Sequence, residues 1–597
     1  MEITMVNEVI TKRLETLRAN MKRDSVDVCL IPSEDCHLSE YVADAFKLRA
    51  YFSGFTGSAG KLIVTADSGY LFADGRYFLQ AERQIEGTGL TLVRIGVAGE
   101  PTVTELCAKL LANGGVIFAD GTRLSAAYAE ELEKALKAKG ARLKLSGTTV
   151  SDSAEMPPQE FSHVRALPAS ITGRTCAEKL SDVRKVMAEN DSNIYMSASL
   201  EENAWLYNLR GSDIEDTPVF YSYSIITEHE AYLFADPCAV SAVKKELAEA
   251  GVTLMPYSPQ VLEETIASFS DGRFIIDKSM LNASMVAAIP RSAKIVEKSG
   301  IITALKAVKN PIEIENTGRV HLLDGVAVAR FMRFIKTADT RALDEYTAGE
   351  KLEDYRKLCA DYHGPSFGTI CAYGANAAMM HYSAPASGSA RLDPGAMLLV
   401  DSGGQYEGGT TDITRMFALG NISEEIKKSY TAVCVSMLRL QSAVFLKGTK
   451  CASLDMLARQ PIWQLGIDYR CGTGHGIGYM LCVHEGPNRI HYSNVKGEIE
   501  PGMITSDEPG IYIDGKYGIR IENEILCTEA FENEYGSFRR FEPVTVCPID
   551  LDAIDPSLMD ESDRAALNAY HRFVYKSLAP LMDESERVWL AEYTREI

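Results

Sequence analysis

The stretch AMLLVDSGGQYEGGTTDITRM (residues 396–416) carries two acidic residues at the edges of apolar runs. Asp401 ends the run MLLV, and Asp412 opens the run ITRMF eleven positions later, with a glycine-rich segment between them. Short apolar runs bounded by turn residues are typical of strands, so the stretch predicts two strands joined by a tight loop. Either residue alone would be an ordinary acid at a strand end. Side by side, the two carboxylates can bridge a pair of metal ions.

Three further candidate metal ligands follow in the last third of the chain. His475 lies in GTGHGIG, Glu508 in MITSDEPGIYI and Glu522 in GIRIENEIL, all apolar or glycine-rich surroundings. Glu508 and Glu522 also repeat the pattern of strand, turn and strand. Four carboxylates and one imidazole cannot share a dry site as bare ions, because like charges force some of the acids to take up protons. Two divalent cations would balance the four negative charges.

The composition of this ligand set also indicates the chemistry. Carboxylates with one imidazole and no thiolate suit Mn²⁺ and similar hard ions better than a structural zinc ion. A pair of such ions is typical of metal-assisted hydrolysis. No G-x-S-x-G elbow and no convincing Ser/His/Asp or Cys/His order offers a nucleophile instead. The sequence therefore predicts a dinuclear hydrolase.

Other side chains near these ligands are candidates for supporting roles. Arg520 precedes Glu522 by two residues, and the alternation of a strand puts both side chains on one face, where Arg520 can orient a carboxylate. His381 follows AAMM and His484 precedes EGP, both within the ligand-bearing region. A histidine in such a place is suited to substrate binding or proton transfer. The glycines around His475 do not match a phosphate-binding loop, but they allow close approach of neighbouring strands.

Composition and charge exclude several classes of function. The formal charge of −21 disfavours nucleic acid and anionic membranes as partners. No apolar run approaches the ~18 residues of a transmembrane helix, and the N-terminus lacks the apolar core of a secretory signal. The 13 cysteines are scattered without a CxxC pair. We interpret them as reduced thiols and expect a cytoplasmic protein.

The 597 residues are long enough for three or four domains. Residues 1–152 alternate helical and strand patterns as an α/β domain, and a Pro-rich polar segment separates them from a second domain at 172–303. The similar order of elements suggests that the two domains are distant copies of one fold. The predicted catalytic domain spans 310–550, and a helical extension occupies 551–597.

Local signals within the last two domains are also clear. Asn310, Pro311 and Glu313 form an N-cap, a first-turn proline and a capping box, which predict the start of a helix. A long helical pattern covers 423–446. The extension holds two amphipathic helices, whose apolar residues are Leu567, Tyr570, Val574 and Leu578 in one and Val588, Trp589 and Tyr593 in the other. We expect these helices to pack on the catalytic domain or on a partner subunit.

The ligand series, together with GTGHGIG, VHEGP, DEPGIY and GIRIEN, resembles the pita-bread metallopeptidases, which include methionine aminopeptidase, prolidase and aminopeptidase P. The motifs YFSGFTGSAG (51–60) and NLRGSD (208–213), and the three-domain layout, resemble the long cytosolic form of Xaa-Pro aminopeptidase. The resemblance covers essentially the whole chain. It implies two creatinase-like N-terminal α/β domains, a pita-bread catalytic domain of α+β type and a homodimer.

The resemblance also implies a role for each candidate residue. Asp401 would bind one metal, Asp412 and Glu522 would bridge both, and His475 and Glu508 would complete the second. His381 and His484 would line a pocket for proline and assist proton movement, and Tyr512 and Arg520 would lie near the substrate and a ligand. Glu508 would take a proton from the attacking water, and His381 would stabilise the oxyanion.

One position departs from the family pattern. Members of this long type commonly read HGTGHG, whereas Cys471 holds the first position here. The matching histidine is not a metal ligand, so the resemblance implies that metal binding survives. Catalytic rate or substrate preference would change, because a cysteine is shorter than a histidine and cannot carry a positive charge.

The expected activity is release of an N-terminal residue that precedes proline. Two alternatives remain at this point. The first alternative is a prolidase that cleaves only Xaa-Pro dipeptides, and the second is a non-catalytic peptide-binding member of the same fold. The second alternative is disfavoured because all five ligand residues are present.

Overall fold

The computed structural model describes residues 2–597, with side chains from Asn7 onward. The chain folds as two compact units. The first unit comprises Met1–Pro168 and Arg174–Ile302, and the second comprises Ala169–Gly173 and Thr303–Ile597. Within the described residues, no helix is both long and apolar enough to cross a membrane.

The first half of the first unit is a six-stranded sheet with helices on it. Its strands, in the spatial order β4-β3-β2-β1-β5-β6, are β1 (Val28–Pro32), β2 (Lys61–Thr65), β3 (Gly69–Ala73), β4 (Thr91–Arg94), β5 (Val116–Ala119) and β6 (Arg142–Lys144). Its helices are α1 (Glu2–Arg23), α2 (Leu48–Ser53), α3 (Phe78–Ile85), α4 (Val103–Leu110) and α5 (Ala126–Leu136). The short β7 (Arg165–Ala166) follows, whereas α6 (Ala169–Thr172) belongs to the second unit. The five strands β1–β5 match the apolar runs of the sequence.

The second half of the first unit repeats this architecture. Its strands, in the order β12-β11-β10-β8-β13-β14, are β8 (Ile194–Ser197), β10 (Ser222–Thr227), β11 (Ala231–Ala235), β12 (Val252–Pro256), β13 (Arg273–Ile276) and β14 (Lys294–Glu297), and the short β9 (Leu209–Arg210) pairs with β7. Its helices are α7 (Cys176–Glu189), α8 (Leu200–Leu206), α9 (Lys244–Glu249), α10 (Pro259–Ser268) and α11 (Ala283–Ala287), and α12 (Ile301–Ala307) follows at the boundary with the second unit.

The two sheets agree in strand direction as well as in order. In each, the central strand pairs antiparallel with one neighbour and parallel with the other: β1 with β2 and β5, and β8 with β10 and β13. Each outermost pair, β3–β4 and β11–β12 on one side and β5–β6 and β13–β14 on the other, is parallel. The same fold therefore occurs twice in this unit, as the order of elements in the sequence suggested.

The second unit surrounds a strand-rich core with long helices. Its helices are α13 (Pro311–Thr337), α14 (Glu345–Arg356), α15 (Glu424–Gln441), α16 (Cys451–Trp463), α17 (Glu561–Leu578) and α18 (Glu584–Tyr593). Its strands are β15 (Tyr362–Pro365), β16 (Ile370–Tyr373), β17 (Ala396–Ser402), β18 (Gly404–Tyr406), β19 (Gly409–Thr410), β20 (Ile413–Leu419), β21 (Val444–Leu446), β22 (Gly474–Gly476), β23 (Glu485–Ile490), β24 (Ile504–Asp507), β25 (Gly510–Ile513), β26 (Tyr517–Arg520), β27 (Asn523–Asn533) and β28 (Gly536–Pro543).

The predicted start of α13 is confirmed. The Asn310 side chain accepts hydrogen bonds from the backbone N–H groups of Ile312 and Glu313, and the Glu313 carboxylate accepts one from the Asn310 N–H. Pro311 occupies the first turn, where no intrahelical donor is lost. This cap fixes the end of a 27-residue helix whose middle packs under the candidate site.

Two sequence predictions about helices need correction. The helix predicted over 423–446 ends at Gln441, because Val444–Leu446 instead pairs with β28 as an edge strand. In the C-terminal extension, Leu567, Tyr570, Val574 and Leu578 are buried against the second unit as expected. Val588, however, is 68% exposed, and Leu590 takes the buried position on α18. Two apolar faces are compatible with this short helix, and packing selects one.

Three sheet systems meet where the predicted ligands lie. The strands β16-β17-β20 form one sheet, β21-β28-β27-β24-β22-β23 form another, and β25 and β26 form a hairpin. Apolar side chains from β17, β20, β26, α15 and α17 share one core cluster. The ends of β17, β24 and β26 and the starts of β20 and β27 converge on that cluster's edge, so that the polar residues at these ends come together.

The close approach of these strands depends on glycine. A Cβ atom at Gly403 would lie 1.8 Å from the carbonyl oxygen of Thr411, the residue before Asp412. Gly403→Ala should therefore destabilise the second unit by about 1–3 kcal/mol, since overpacked backbones must shift. Thermal unfolding of the purified variant measures this loss. Gly318→Ala is the matched control: Gly318 lies in α13 with open space around it, and the substitution should raise stability by about 0.5–1 kcal/mol. Equal melting temperatures for the two variants would contradict the steric argument.

Candidate metal centre

The β17–β20 ladder places the two aspartates of the stretch 396–416 side by side. Asp401 pairs with Thr414 across the ladder, and Ser402 pairs with Ile413, so that Asp412 lies one residue beyond the last pair. The predicted tight loop is itself a small hairpin of β18 and β19. Asp401 and Asp412 are both buried, which removes them from the solvent that would otherwise stabilise their charges.

The other three candidate ligands come from the large sheet and its neighbouring hairpin. His475 is the central residue of β22, Glu508 follows β24 directly, and Glu522 precedes β27. Gly474 permits this arrangement, because a Cβ atom there would lie 1.9 Å from the carbonyl oxygen of Ser506 in β24. The β25–β26 hairpin connects Glu508 to Glu522, as the repeated pattern of strand and turn predicted.

These side chains converge on one small volume. One ligand atom from each of Asp412, His475 and Glu522 lies within 4.8 Å of the other two. His475 Nε2 lies 3.4 Å from Asp412 Oδ2 and 3.4 Å from Glu508 Oε1. Asp401 joins the group electrostatically, since it raises the pKa values of both Asp412 and Glu522. All five sequence-predicted ligands therefore lie together.

The electrostatics of the cluster are those of crowded, desolvated acids. Burial raises the pKa of Asp412 well above its usual range, and the charges of Asp401 and Glu508 add to the rise. Burial also raises the pKa of Glu522 well above its usual range, with further contributions from Asp412 and Glu508. Such a cluster costs free energy as bare anions, and cations between the carboxylates remove that cost.

Three polar atoms fit the presence of such cations. Asp401 Oδ1 and Glu522 Oε1 are buried and have no hydrogen-bond partner within the described part of the chain. The third is on His475, whose Nδ1 lies 3.0 Å from the carbonyl oxygen of Gly476. Because a carbonyl only accepts, Nδ1 carries the proton, and in the neutral ring Nε2 then presents a lone pair to the carboxylates of Asp412 and Glu508. Lone pairs that face one another in this way suit a cation between them.

Polar contacts orient the other carboxylate oxygen of Glu522 and of Asp401. The hydroxyl of Thr414 donates to Glu522 Oε2 at 2.8 Å and accepts from Arg520 Nε at 3.1 Å. Arg520 also forms an ion pair with Asp401 through Nη2. The prediction that Arg520 and Glu522 share a face is therefore confirmed, and Thr414 is the residue that connects them. Arg520 Nη1 donates to the Tyr512 hydroxyl at 2.8 Å, which leaves the tyrosine proton available to another acceptor.

The two other candidate histidines lie beside this group. The ring of His484 meets that of His475 edge-on, with 4.3 Å between centroids. His381 follows Met380, whose carbonyl oxygen accepts from Arg520 Nη2 at 3.3 Å. His381, His484 and Tyr512 are all half-buried, whereas the aspartates, Glu522 and Arg520 are buried. The half-buried residues thus border the opening of the cluster.

A buried glutamate holds the segment that carries His381. The carboxylate of Glu345, at the start of α14, accepts hydrogen bonds from the backbone N–H of Tyr373 and Ala390 and from the side chains of Asn376 and Tyr382. These partners bracket residues 373–390. One fully buried side chain therefore fixes both ends of the loop.

Cys471 lies at the edge of the same region. Its side chain is half-buried against the core cluster of the second unit, and its carbonyl oxygen accepts a hydrogen bond from Arg459 Nη2 at 2.7 Å. Burial has the largest effect on Tyr512 and raises its pKa, and Cys471 raises it further. The cysteine therefore lies near the hydroxyl that borders the opening.

The sequence patterns missed four residues of this site: Thr414, Ser506, Glu524 and His321. The first three had a signal, because each lies two residues from a predicted ligand on a strand and shares its face. His321 lies in the middle of α13, and no local pattern connects it to the ligand strands. Ser506 accepts from the His475 backbone N–H at 3.0 Å and donates to Glu508 Oε1 at 3.2 Å.

Models of known protein families match nearly the whole chain. The model of metallopeptidase family M24 matches residues 315–529, and the model of its C-terminal region matches 537–597. Two models of the creatinase/prolidase N-terminal domain match residues 13–150 and 155–313. The predicted creatinase-like domains and pita-bread catalytic domain are therefore confirmed.

Individual relatives cover the full length. A protein of Coprinopsis cinerea named "Probable Xaa-Pro aminopeptidase P" is 36% identical over an alignment of 614 positions, which covers 98% of this chain and 98% of its own. A protein of Paracoccidioides brasiliensis with the same name is 38% identical and matches 98% of this chain and 99% of its own. The crystal structure of X-prolyl aminopeptidase from Caenorhabditis elegans, described as a cytosolic enzyme with a di-nuclear active site, has a TM-score of 0.94 and 29% identity over 98% of this chain and 100% of its own. The chain belongs to the Xaa-Pro aminopeptidase P family of M24 metallopeptidases.

Proposed function

We propose that this protein is a metal-dependent aminopeptidase that releases the N-terminal residue from peptides with proline in the second position. The observation that carries the proposal is the convergence of Asp401, Asp412, His475, Glu508 and Glu522, with buried oxygens of Asp401 and Glu522 left without hydrogen-bond partners. Full-length similarity to Xaa-Pro aminopeptidases supports it.

Two divalent cations fit this ligand set. Asp401 would hold one of them, His475 and Glu508 would hold the other, and Asp412 and Glu522 would bridge the pair. The preponderance of carboxylates favours Mn²⁺. When bound, such ions supply Lewis-acid chemistry, which lowers the pKa of a water molecule and polarises the scissile carbonyl group.

Glu508 is the residue best suited to accept the proton of the attacking water. It is half-buried, in contrast to the buried Asp401, Asp412 and Glu522, so that it borders the space that the substrate would enter. The hydroxyl of Ser506 fixes the orientation of its carboxylate. A positioned carboxylate of this kind acts as general base, a contribution of about 10²–10⁴ in rate.

The residues at the opening would bind the peptide. His381 would donate a hydrogen bond to the carbonyl oxygen as negative charge develops on it. His484 and Tyr512 would border the proline ring. Arg520 would keep Tyr512 in place through Nη1 and Asp401 through Nη2. The free N-terminal amine of the peptide would bind beside the carboxylates of the cluster, which favours cleavage at the first bond.

The family expectation of a homodimer has support in the exposed surface of the second unit. Large apolar side chains stand in solvent on α16, on the β27–β28 hairpin and on the loop after β23: Trp463 at 42%, Phe531 at 53%, Tyr535 at 75%, Tyr492 at 55% and Val495 at 65%. Exposed apolar side chains that lie together mark interaction surfaces, and we propose that these side chains contribute to the contact between two subunits. Light scattering on the eluted protein should give twice the 65.5 kDa of one chain. A single-chain mass at micromolar concentration would contradict the dimer.

A cytoplasmic location is also proposed. The described part of the chain contains all thirteen cysteines, and no disulfide joins any of them. Unpaired thiols in this number suit a reducing compartment.

The peptide panel Arg-Pro-Pro, Arg-Pro and Arg-Ala-Ala tests the proposed activity. We expect release of Arg from Arg-Pro-Pro in the presence of Mn²⁺, loss of this activity after EDTA treatment, and its recovery when Mn²⁺ returns. Cleavage of the dipeptide alone would show a prolidase. No cleavage of any peptide by metal-loaded protein would support the peptide-binding alternative, and Cys471→His would then test whether the departure from the family pattern is the cause.

A further inference from the structure

Glu524 is a buried acid beside the candidate metal centre that no ligand pattern includes. It lies two residues beyond Glu522 at the start of β27, so that the alternation of the strand turns both side chains toward the same face. Its side chain is fully buried. A carboxylate in this position adds a further negative charge to a crowded group of acids. Such a buried carboxylate needs a specific contact that stabilises it.

The two oxygens of Glu524 make different contacts. Oε1 accepts a hydrogen bond of 2.8 Å from the backbone N–H of Asp412, the central acid of the cluster. Oε2 lies 3.0 Å from His321 Nε2, in a pair with no solvent exposure on either side chain. Neither Oε2 nor His321 Nε2 has a hydrogen-bond partner in the described residues, so the 3.0 Å approach is a polar contact between the two side chains. The pair therefore connects the main chain of Asp412 to α13.

α13 is a rigid support for this contact. Its N-terminus is capped by Asn310, and three residues after His321 the same helix face carries Asp324. Asp324 is held by Arg356 in a buried ion pair and accepts a hydrogen bond of 2.8 Å from the Thr411 hydroxyl. The helix thus holds two consecutive residues of the turn, Thr411 through Asp324 and Asp412 through His321 and Glu524.

We propose that Glu524 and His321 form a positioning pair that fixes the main chain of Asp412 and so holds its carboxylate ready for metal. The inference rests on the proposed metal centre. Without Glu524 the Asp412 N–H is buried and unsatisfied, and the turn before β20 must shift to find another partner. The Asp412 side chain would move with it. Partners that orient metal ligands in this way change metal affinity by about 10- to 100-fold when they are removed.

Mn²⁺ binding to metal-free protein tests the proposal without any use of catalysis, because the free ion gives an electron paramagnetic resonance signal that binding removes. Glu524→Leu removes the acceptor for the Asp412 N–H. We expect its Mn²⁺ dissociation constant to rise about 10- to 100-fold. Glu524→Gln keeps both contacts, since its amide oxygen can accept from Asp412 and its amide N–H can donate to His321. This variant should bind Mn²⁺ within about threefold of the wild type.

Control variants separate positioning from fold and charge. Glu532→Leu, an exposed position on the same strand, should leave Mn²⁺ affinity unchanged. If Glu524→Leu fails to fold, His321→Leu decides, because it frees Glu524 from α13 while leaving the acceptor for Asp412; its expected loss of affinity is about tenfold.

Wild-type affinity in Glu524→Leu, or in His321→Leu where the first does not fold, would overturn the pair's role. An equal loss in Glu524→Gln and Glu524→Leu would show that charge rather than position matters and would also overturn it. No Mn²⁺ binding by the wild type would instead refute the metal centre itself.

Discussion

Glu508→Ala should lower the rate of Arg release from Arg-Pro-Pro by at least about 10⁴-fold, because the variant loses both the general base and a candidate metal ligand. The fold should survive. Glu508 contributes to the raised pKa of Asp412 and of Glu522, so removing its charge relieves repulsion in the metal-free protein. We therefore expect a melting temperature equal to or above that of the metal-free wild type.

Glu263→Ala is the matched control for this variant. Glu263 is exposed on α10 in the first unit, and its loss should change neither the rate nor the melting temperature. Rates are to be measured by separation of free Arg, with Mn²⁺ in excess so that weaker binding is compensated. An active Glu508→Ala enzyme under these conditions would refute the role of Glu508 as base.

His475→Ala should abolish stable binding of one of the two metal ions and reduce turnover to background. His475 Nε2 faces Asp412 and Glu508 at 3.4 Å from each, and the replacement of the side chain by a methyl group leaves those carboxylates without their imidazole partner. The affected ion should bind more than about 100-fold more weakly, since loss of a ligand exceeds the loss of an orienting partner. Metal content after exhaustive dialysis, read by elemental analysis, should fall from two ions per chain to one.

His229→Ala provides the comparison for His475→Ala. His229 is exposed in the turn between β10 and β11, and the variant should retain two ions and full activity. Two ions in dialysed His475→Ala would contradict the assignment of this histidine to a metal. Loss of both ions would show that the two positions bind cooperatively, with His475 still as a ligand.

Local pattern was sufficient to predict most elements of this protein. Apolar runs match the strands β1–β5 of the first N-terminal sheet, and the capping residues Asn310 and Glu313 located the start of α13. These signals depend on a few neighbouring residues, so they can be recognised directly in the sequence. The predicted end of α15 and the predicted buried face of α18 were wrong. Packing against β28 and against the core decides both, rather than intrinsic helix propensity.

The five candidate ligands could also be named from sequence, since an acid or a histidine inside an apolar or glycine-rich run is costly unless something binds it. Sequence periodicity even placed Arg520 and Glu522 on one face. What each carboxylate oxygen touches was not predictable. Thr414 connects Arg520 to Glu522 only because β20 lies beside both.

The sequence by itself determined the fold, the family and the five acidic and imidazole side chains of the centre, because each depends on residue types at short or regular spacings. The tertiary structure alone decided how those side chains are held. His321 lies 203 residues from Glu524 in the chain, and no local rule connects a mid-helix histidine to a strand so distant. Only the packing of α13 under β20 and β27 places the imidazole 3.0 Å from the carboxylate. Burial then makes the contact matter, because a charge or an amide with no water nearby must find its partner within the protein.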